Sequence, residues 1–307
     1  MPTEIKYPRF GLPTIREVLL TNKTFFVRPN GNDNNDGLSV NNPFLTIPKA
    51  IDRSSRLDFN GYTVTINVLG GYSISSAILF KDWVGSGSLI IDGNSSESTI
   101  ITYDNNADNG ENSGPQFCFW ASGNLKPVII QNVKLVNNRV TAVGHQGLIK
   151  VDTGGTVHLK DIDFGSNANS AYGGHLVIEG GRSTTTFLSG SNYKISGGRT
   201  GTSSIYRFIF CRSGASVNFS NPFTATVTNN INFSYFFEIY GGTLQAWLGS
   251  TTLGTYFNKQ GFTVTGQRYL CDANGTFVHF GGSGFYSTRG EIPGTIAGVT
   301  NTGSVDA

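Results

Sequence analysis

The chain has 307 residues, a formal net charge of +2 and only 14% charged residues. So balanced a charge excludes the broad basic surface that nucleic acid or an anionic membrane requires. No apolar run approaches the ~20 residues of a membrane-spanning helix. Glycine (40 residues) and phenylalanine (22 residues) are abundant beside Thr, Ser and Asn, a composition that points to β-structure with a polar but weakly charged surface. Cys118, Cys211 and Cys271 are too few and too widely spaced for a disulfide framework or a CxxC metal site, and read as small core residues.

Residues 1–22 carry Pro2, Pro8 and Pro13 and no sustained period. They read either as a disordered tail or as an extended arm that attaches the protein to a partner, with Tyr7, Phe10 and Leu12 as apolar contacts. The arm lacks the continuous apolar core of a signal peptide, so the expectation is synthesis in the cytoplasm without the general secretory route. Residues 23–60 form a second unit. The run from Thr24 to Arg28 is a strand, followed by the turn cluster PNGNDNNDG. Asp33 and Asp36 in that loop are weak Ca²⁺ candidates, because the Glu and spacing of an EF-hand are missing. Turns closed onto the loop's own backbone explain them better. Thr46 then caps a short helix whose Ile47, Ala50, Ile51 and Leu57 share one face, with Pro48 in the first turn. Such a helix suits the end plug of a solenoid.

Residues 61–280 are strand after strand, interrupted by the polar loop Asn105–Gly114. From Leu148 to Phe280 one pattern recurs: an apolar run, a tight glycine turn and a second alternation. The copies read LIKVDTGGTVHL, LVIEGGRSTTTFL, FIFCRSGASVNF, FEIYGGTLQAWL and LCDANGTFVHF, anchored at Gly155, Gly181, Gly214, Gly242 and Gly275. Val157 and Leu159, Val217 and Phe219, and Val278 and Phe280 supply the buried face after three of the turns. A further run follows in most copies: Ile162 and Phe164, Tyr193 and Ile195, Ala225 and Val227, Phe262 and Val264. Three strands per repeat of about 30 residues predict an all-β fold, a right-handed single-stranded parallel β-helix with a short N-terminal capping helix. A β-sandwich would place hairpin turns at closer, more even intervals. Residues 281–307 are a glycine-rich tail with too few apolar residues for another coil, and are expected to pack on other subunits.

The chemical inventory is short. No HExxH, GxSxG or Cys–His arrangement and no phosphate loop before a helix is found, so no cofactor and no metal is expected. His145, His158, His175 and His279 are scattered, with His158 and His279 at equivalent outward positions after their turns. Asp161 and Asp163 flank Ile162. On one strand their side chains would project together at roughly 7 Å, within the separation of about 6.5–9.5 Å that inverting glycoside hydrolysis uses. Asp152 and Glu179 in adjacent coils could join them. Solvated outer-face charges explain all four more simply, and no catalytic residue is assigned from them. Aromatic residues crowd two successive coils: Tyr206, Phe208, Phe210, Tyr235, Phe236, Phe237, Tyr240 and Trp247. Alternation cannot bury all of them in one core, so Tyr206, Tyr235, Phe236, Tyr240 and Trp247 are candidates for a subunit interface or a glycan platform, with stacking in the interior as the plain reading for some of the set.

The opening TFFVRPNGNDNNDGLSVNNPFLTIPKAID resembles that of phage and prophage right-handed β-helix proteins of the pectate-lyase-like superfamily, many of them tailspikes and tail fibres. TVTINV, GSGSLIIDGN, FGGSGF and the tail GTIAGVTNTGSVDA are similar to one widespread phage subgroup. The resemblance implies a homotrimeric virion protein on the phage tail, made in the host cytoplasm. It implies joining to tail or baseplate proteins through the N-terminal arm, and adhesion to host surface polysaccharide. Two alternatives share that shape: a polysaccharide depolymerase, hydrolase or lyase, and a virion decoration protein without a receptor.

Overall fold

The computed structural model describes residues 16–104, 116–139, 146–168, 172–199, 205–220, 223–247, 257–280, 292–301 and 305–306. Tyr7, Phe10, Leu12, His145 and the loop Asn105–Gly114 lie outside the described residues, as do the side chains of Trp247 and His279.

Strands adjacent in space are about one repeat apart in sequence, and their ladders are parallel. In one coil Thr156–Lys160, Asp163–Asn167 and Tyr172–Glu179 follow one another. The next coil begins with Thr184–Phe187, which pairs in parallel with Thr156–Lys160. Repetition of this step builds three sheets of 10, 7 and 8 strands running along the molecule. Hairpin-linked neighbours would be antiparallel, so this is a parallel β-helix and not a sandwich.

Alternation buries one side of each strand. In the first sheet Val157 faces Thr185, Val217 and Leu244 in successive coils, and Leu159 faces Phe187 and Phe219. The interior of the middle coils is largely aromatic. Phe187 lies 4.6 Å from Phe219, ring centre to ring centre, and Phe208 lies 4.8 Å from Phe236. Such pairs add about 0.5–1.5 kcal/mol each beyond burial of their area.

The turns use two residue columns. One has left-handed backbone: Gly154, Arg182, Gly214, Gly241 and Asn274 all have positive φ. The residue that follows is buried against the previous coil, in the order Gly155, Ser183, Ala215, Gly242 and Gly275. A Cβ on Gly155 would lie 2.4 Å from Ala121 O, and one on Gly275 would lie 2.5 Å from Ile239 O. Thus Gly155 and Gly275 are small for lack of room rather than for φ. Gly181 belongs to neither column and borders open space, because its turn is one residue longer.

Three expectations shift. In the last copy the register sets Phe277 opposite Leu244 and Val278 opposite Gln245, so Phe277 is the buried residue and His279 is not equivalent to His158. Val264 pairs with Ile231 in the third sheet, and Phe257 takes the second-sheet place beside Ala225. The tail extends the solenoid: Val299–Thr300 adds to Leu270–Cys271, and Val305–Asp306 adds to Thr276–Phe277.

At the N-terminal end the helix α1 spans Ile47–Ser55, with Thr46 accepting from Lys49 N and Ile47, Ala50 and Ile51 buried. Leu57 is buried just beyond it, in the short strand Leu57–Asp58 that pairs with Glu17–Val18. Asp33 braces the cap. Its Oδ1 accepts from Leu45 N and Thr46 N at 2.9 Å, and its Oδ2 accepts from Thr46 Oγ1 at 2.8 Å. Asp36 Oδ1 accepts from Leu38 N in an Asx turn and from Asn42. Both carboxylates thus tie down loop donors.

Candidate functional site

The outer face of the third sheet carries a set of charged and aromatic side chains in mutual contact. Two rows run along it, one residue per coil. Trp120, Lys150, Val177, Phe210 and Glu238 pair in succession. One pleat further on lie Ser122, Asp152, Glu179, Arg212 and Tyr240. The period of two puts Lys150 with Asp152, Val177 with Glu179 and Phe210 with Arg212 on the same side.

The charges close into a ladder. Lys150 Nζ lies 3.2 Å from Asp152 Oδ2 and 2.7 Å from Glu179 Oε1. Glu179 Oε2 also accepts from Arg212 Nε at 2.7 Å and from its Nη2. Arg207 Nε donates to Glu238 Oε2, and both are buried. The guanidinium carbons of Arg207 and Arg212 lie 4.3 and 5.3 Å from the Phe210 ring centre, so two cations lie against one ring. Lys150 Nζ is 5.9 Å from the Trp120 ring. Phe117, Val177 and Phe210 form a small buried cluster apart from the interior core.

Electrostatics leave Glu179 ionised. Burial pushes its carboxyl up, but hydrogen bonds and charge from Lys150 and Arg212 outweigh that and hold it below the usual carboxylate range. A general acid needs the opposite shift.

The paired-aspartate expectation is corrected. Asp161 is in the corner between strands with φ 51, and its Oδ1 accepts from Asn192 N of the next coil. The strand starts at Asp163, which is 6% exposed; it accepts from Ser196 Oγ and lies 3.6 Å from Lys134 Nζ. The chain turns between the two residues, so they do not share an exposed face. Asp152 and Glu179 do come together, on a different sheet, through Lys150.

The aromatic set divides. Tyr206 and Phe236 are fully buried in the interior and face neither solvent nor a partner. Alternation fails there because the interior-facing set changes parity, from Tyr206 and Phe208 to Ile209 and Cys211, while Phe210 is covered on the outer side by Phe117 and Val177, so every residue from Tyr206 to Cys211 is buried. Tyr235 is half-buried in register with Arg207, and Tyr240 is 49% exposed at the end of its strand. Lys150, Arg207, Arg212, Glu238 and Trp120 were not singled out from the sequence. Aligning Glu179 with Arg212 across one repeat, and reading Lys150 and Asp152 two apart, would have found most of the ladder.

His175 is the polar exception inside. Its Nε2 donates to Gly165 O at 2.7 Å, and the rings of Phe164, Tyr206, Phe208 and Phe233 surround it at 5.3–5.9 Å. Burial pulls its imidazole down to about 3, so it is neutral at ordinary pH. Among the described residues no group of three or more His, Cys, Asp or Glu converges as a metal site.

No family model matches the chain, and no curated protein does. Among solved structures it is similar to a rhamnogalacturonan lyase at 12% identity, over 84% of this chain and 72% of that one, with a TM-score of 0.42.

Proposed function

We propose that this β-helix is a virion protein of the phage tailspike or tail-fibre kind that adheres to host surface polysaccharide without cutting it. One observation carries the adhesive part: the third-sheet face presents aromatic rings and a charge ladder in which Glu179 is already neutralised by Lys150 and Arg212. Such a face offers hydrogen bonds and stacking to sugars without a proton donor poised for acid catalysis. Tyr240 is the exposed ring, and beside it in the adjacent coil Arg212 presents a partly exposed guanidinium. The opening sequence, similar to that of phage β-helix proteins, supports the virion assignment. That assignment brings with it a homotrimer on the tail, joined to tail or baseplate proteins through residues 1–22.

The test is calorimetric titration of the purified protein with host capsule or lipopolysaccharide glycan, with polymer chain length followed in parallel. Binding with unchanged chain length is expected. Tyr240→Ala should weaken binding about tenfold while leaving the thermal midpoint in place. Shortening of the polymer that Asp152→Asn abolishes would favour a depolymerase instead. No binding to any host glycan would leave a decoration protein. Sedimentation at micromolar concentration should give a mass of three chains, and a monomeric mass counts against the tailspike assembly.

A further inference from the structure

The cap covers the sheets unevenly. The first sheet starts with Lys23–Val27, and the following loop closes its outer edge: Phe44 N donates to Phe26 O, Phe26 N to Gly37 O, and Arg28 N to Phe44 O. The second sheet starts with Gly70–Ile74, which pairs with Thr99–Tyr103 on one side only; among the described strands none pairs with its other side. A parallel strand points its backbone groups alternately to its two sides, so this edge offers N–H and C=O groups in a row. Beside it opens a cavity of about 590 Å³, walled by Pro29, Leu45, Ile47, Tyr72, Ile74 and Ile78 and by no charged side chain. The Tyr72 hydroxyl there is buried without a hydrogen-bond partner.

This chemistry selects the occupant. A row of backbone groups is satisfied by another polypeptide strand, and a mainly apolar, uncharged wall that also carries the hydroxyl groups of Thr46, Ser73, Ser75 and Ser76 by apolar side chains at alternate positions. We propose that the edge is closed by the chain's own N-terminal segment, Thr3–Tyr7. Residues 1–15 lie outside the described residues and lead into Arg16 at this end of the molecule, where its guanidinium donates to Ser55 O at the C-terminus of α1. The cavity lies at the other end of α1, beside Thr46–Pro48 and about 14 Å away at ~1.5 Å per helical residue. The residues between Tyr7 and Arg16 reach about 30 Å when extended, more than enough. The segment reads Thr3, Glu4, Ile5, Lys6, Tyr7. Its β-branched and aromatic residues alternate with charges, giving one face for the cavity and one for water. It matches the five residues of Gly70–Ile74, and Pro8 ends it. Tyr7 then serves the cap, leaving Phe10 and Leu12 for attachment.

Hydrogen exchange read by mass spectrometry tests this on full-length protein, as wild type, Ile5→Asp, Tyr7→Asp and Ile5→Val, over a tenfold range of protein concentration. The amides of residues 70–74 should exchange at least tenfold faster in both Asp variants than in wild type. Ile5→Val should match wild type, and residues 99–103 should not change. A synthetic peptide of residues 1–10 should restore slow exchange to Ile5→Asp. Equal exchange at residues 70–74 in all four forms overturns the proposal. Slow exchange that develops only as concentration rises also overturns it, and assigns the edge to a second copy.

Discussion

Glycines in these turns differ in what an added methyl group would meet. Gly155 has ordinary φ but no room, whereas Gly181 has ordinary φ and open space. Gly155→Ala is therefore expected to destabilise by about 1–3 kcal/mol, because backbone of the neighbouring coil must move. Gly181→Ala should be neutral or gain about 0.4–1 kcal/mol by restricting the unfolded chain. Paired urea titrations measure both, and equal effects would refute the room argument. His175 makes the molecule acid-sensitive. Its folded pKa of about 3 lies below the unfolded value of about 6.5. Below pH ~6.5 the unfolded chain takes up a proton that the folded interior refuses. Its contribution is thus complete above that pH and falls by up to about 1.4 kcal/mol per unit as pH drops toward 3. Thermal midpoints from pH 7 to 4 should decline in wild type and flatten over that window in His175→Leu. A parallel decline in both would place the sensitivity elsewhere.

At the scale of the element, the third-sheet ladder depends on one carboxylate that two cations share. Glu179→Gln removes the charge while keeping the shape, and leaves Lys150 and Arg212 without their common anion. Solvent reaches the group, so the expected loss is only about 1 kcal/mol. It has a pH signature. The folded pKa is depressed, so the stabilisation is complete above the unfolded value near 4.5 and is lost as pH falls through the lower folded value. The difference between wild type and Glu179→Gln in denaturant midpoint should vanish at the acid end; a constant difference down to pH 3 would show that shape, not charge, is what Glu179 supplies.

For the whole molecule, each coil touches the coil before it and the coil after it, so stability is close to a sum of coil and interface terms. Inter-coil aromatic pairs crowd the middle interfaces, among them Phe164–Phe208, Phe187–Phe219 and Phe208–Phe236, and add to their stability. The two-residue strands Val299–Thr300 and Val305–Asp306 end the sheets. Native-state hydrogen exchange should therefore show opening free energies rising from the C-terminal strands toward the coils of residues 156–240. A uniform profile would instead indicate one cooperative unit.

The sequence by itself determined the class of fold and its repeat. Glycine-turn spacing near one coil length, period-two alternation and the capped helix at Thr46 are local signals, set by sterics within a few residues. Tertiary structure decided everything that depends on which residue of one coil faces which residue of the next. The turn after Glu179 is one residue longer than its neighbours, so a fixed repeat misaligns Gly181, while register places Glu179 against Arg212. The corner at Asp161 separates two aspartates that look like strand neighbours in the sequence. The change of parity between Phe208 and Ile209 puts Tyr206 inside, while Tyr240 stays outside. Inter-coil offsets follow from the summed lengths of three strands and three turns. A single extra residue in any turn is almost silent locally, yet it changes every pairing along the sheet.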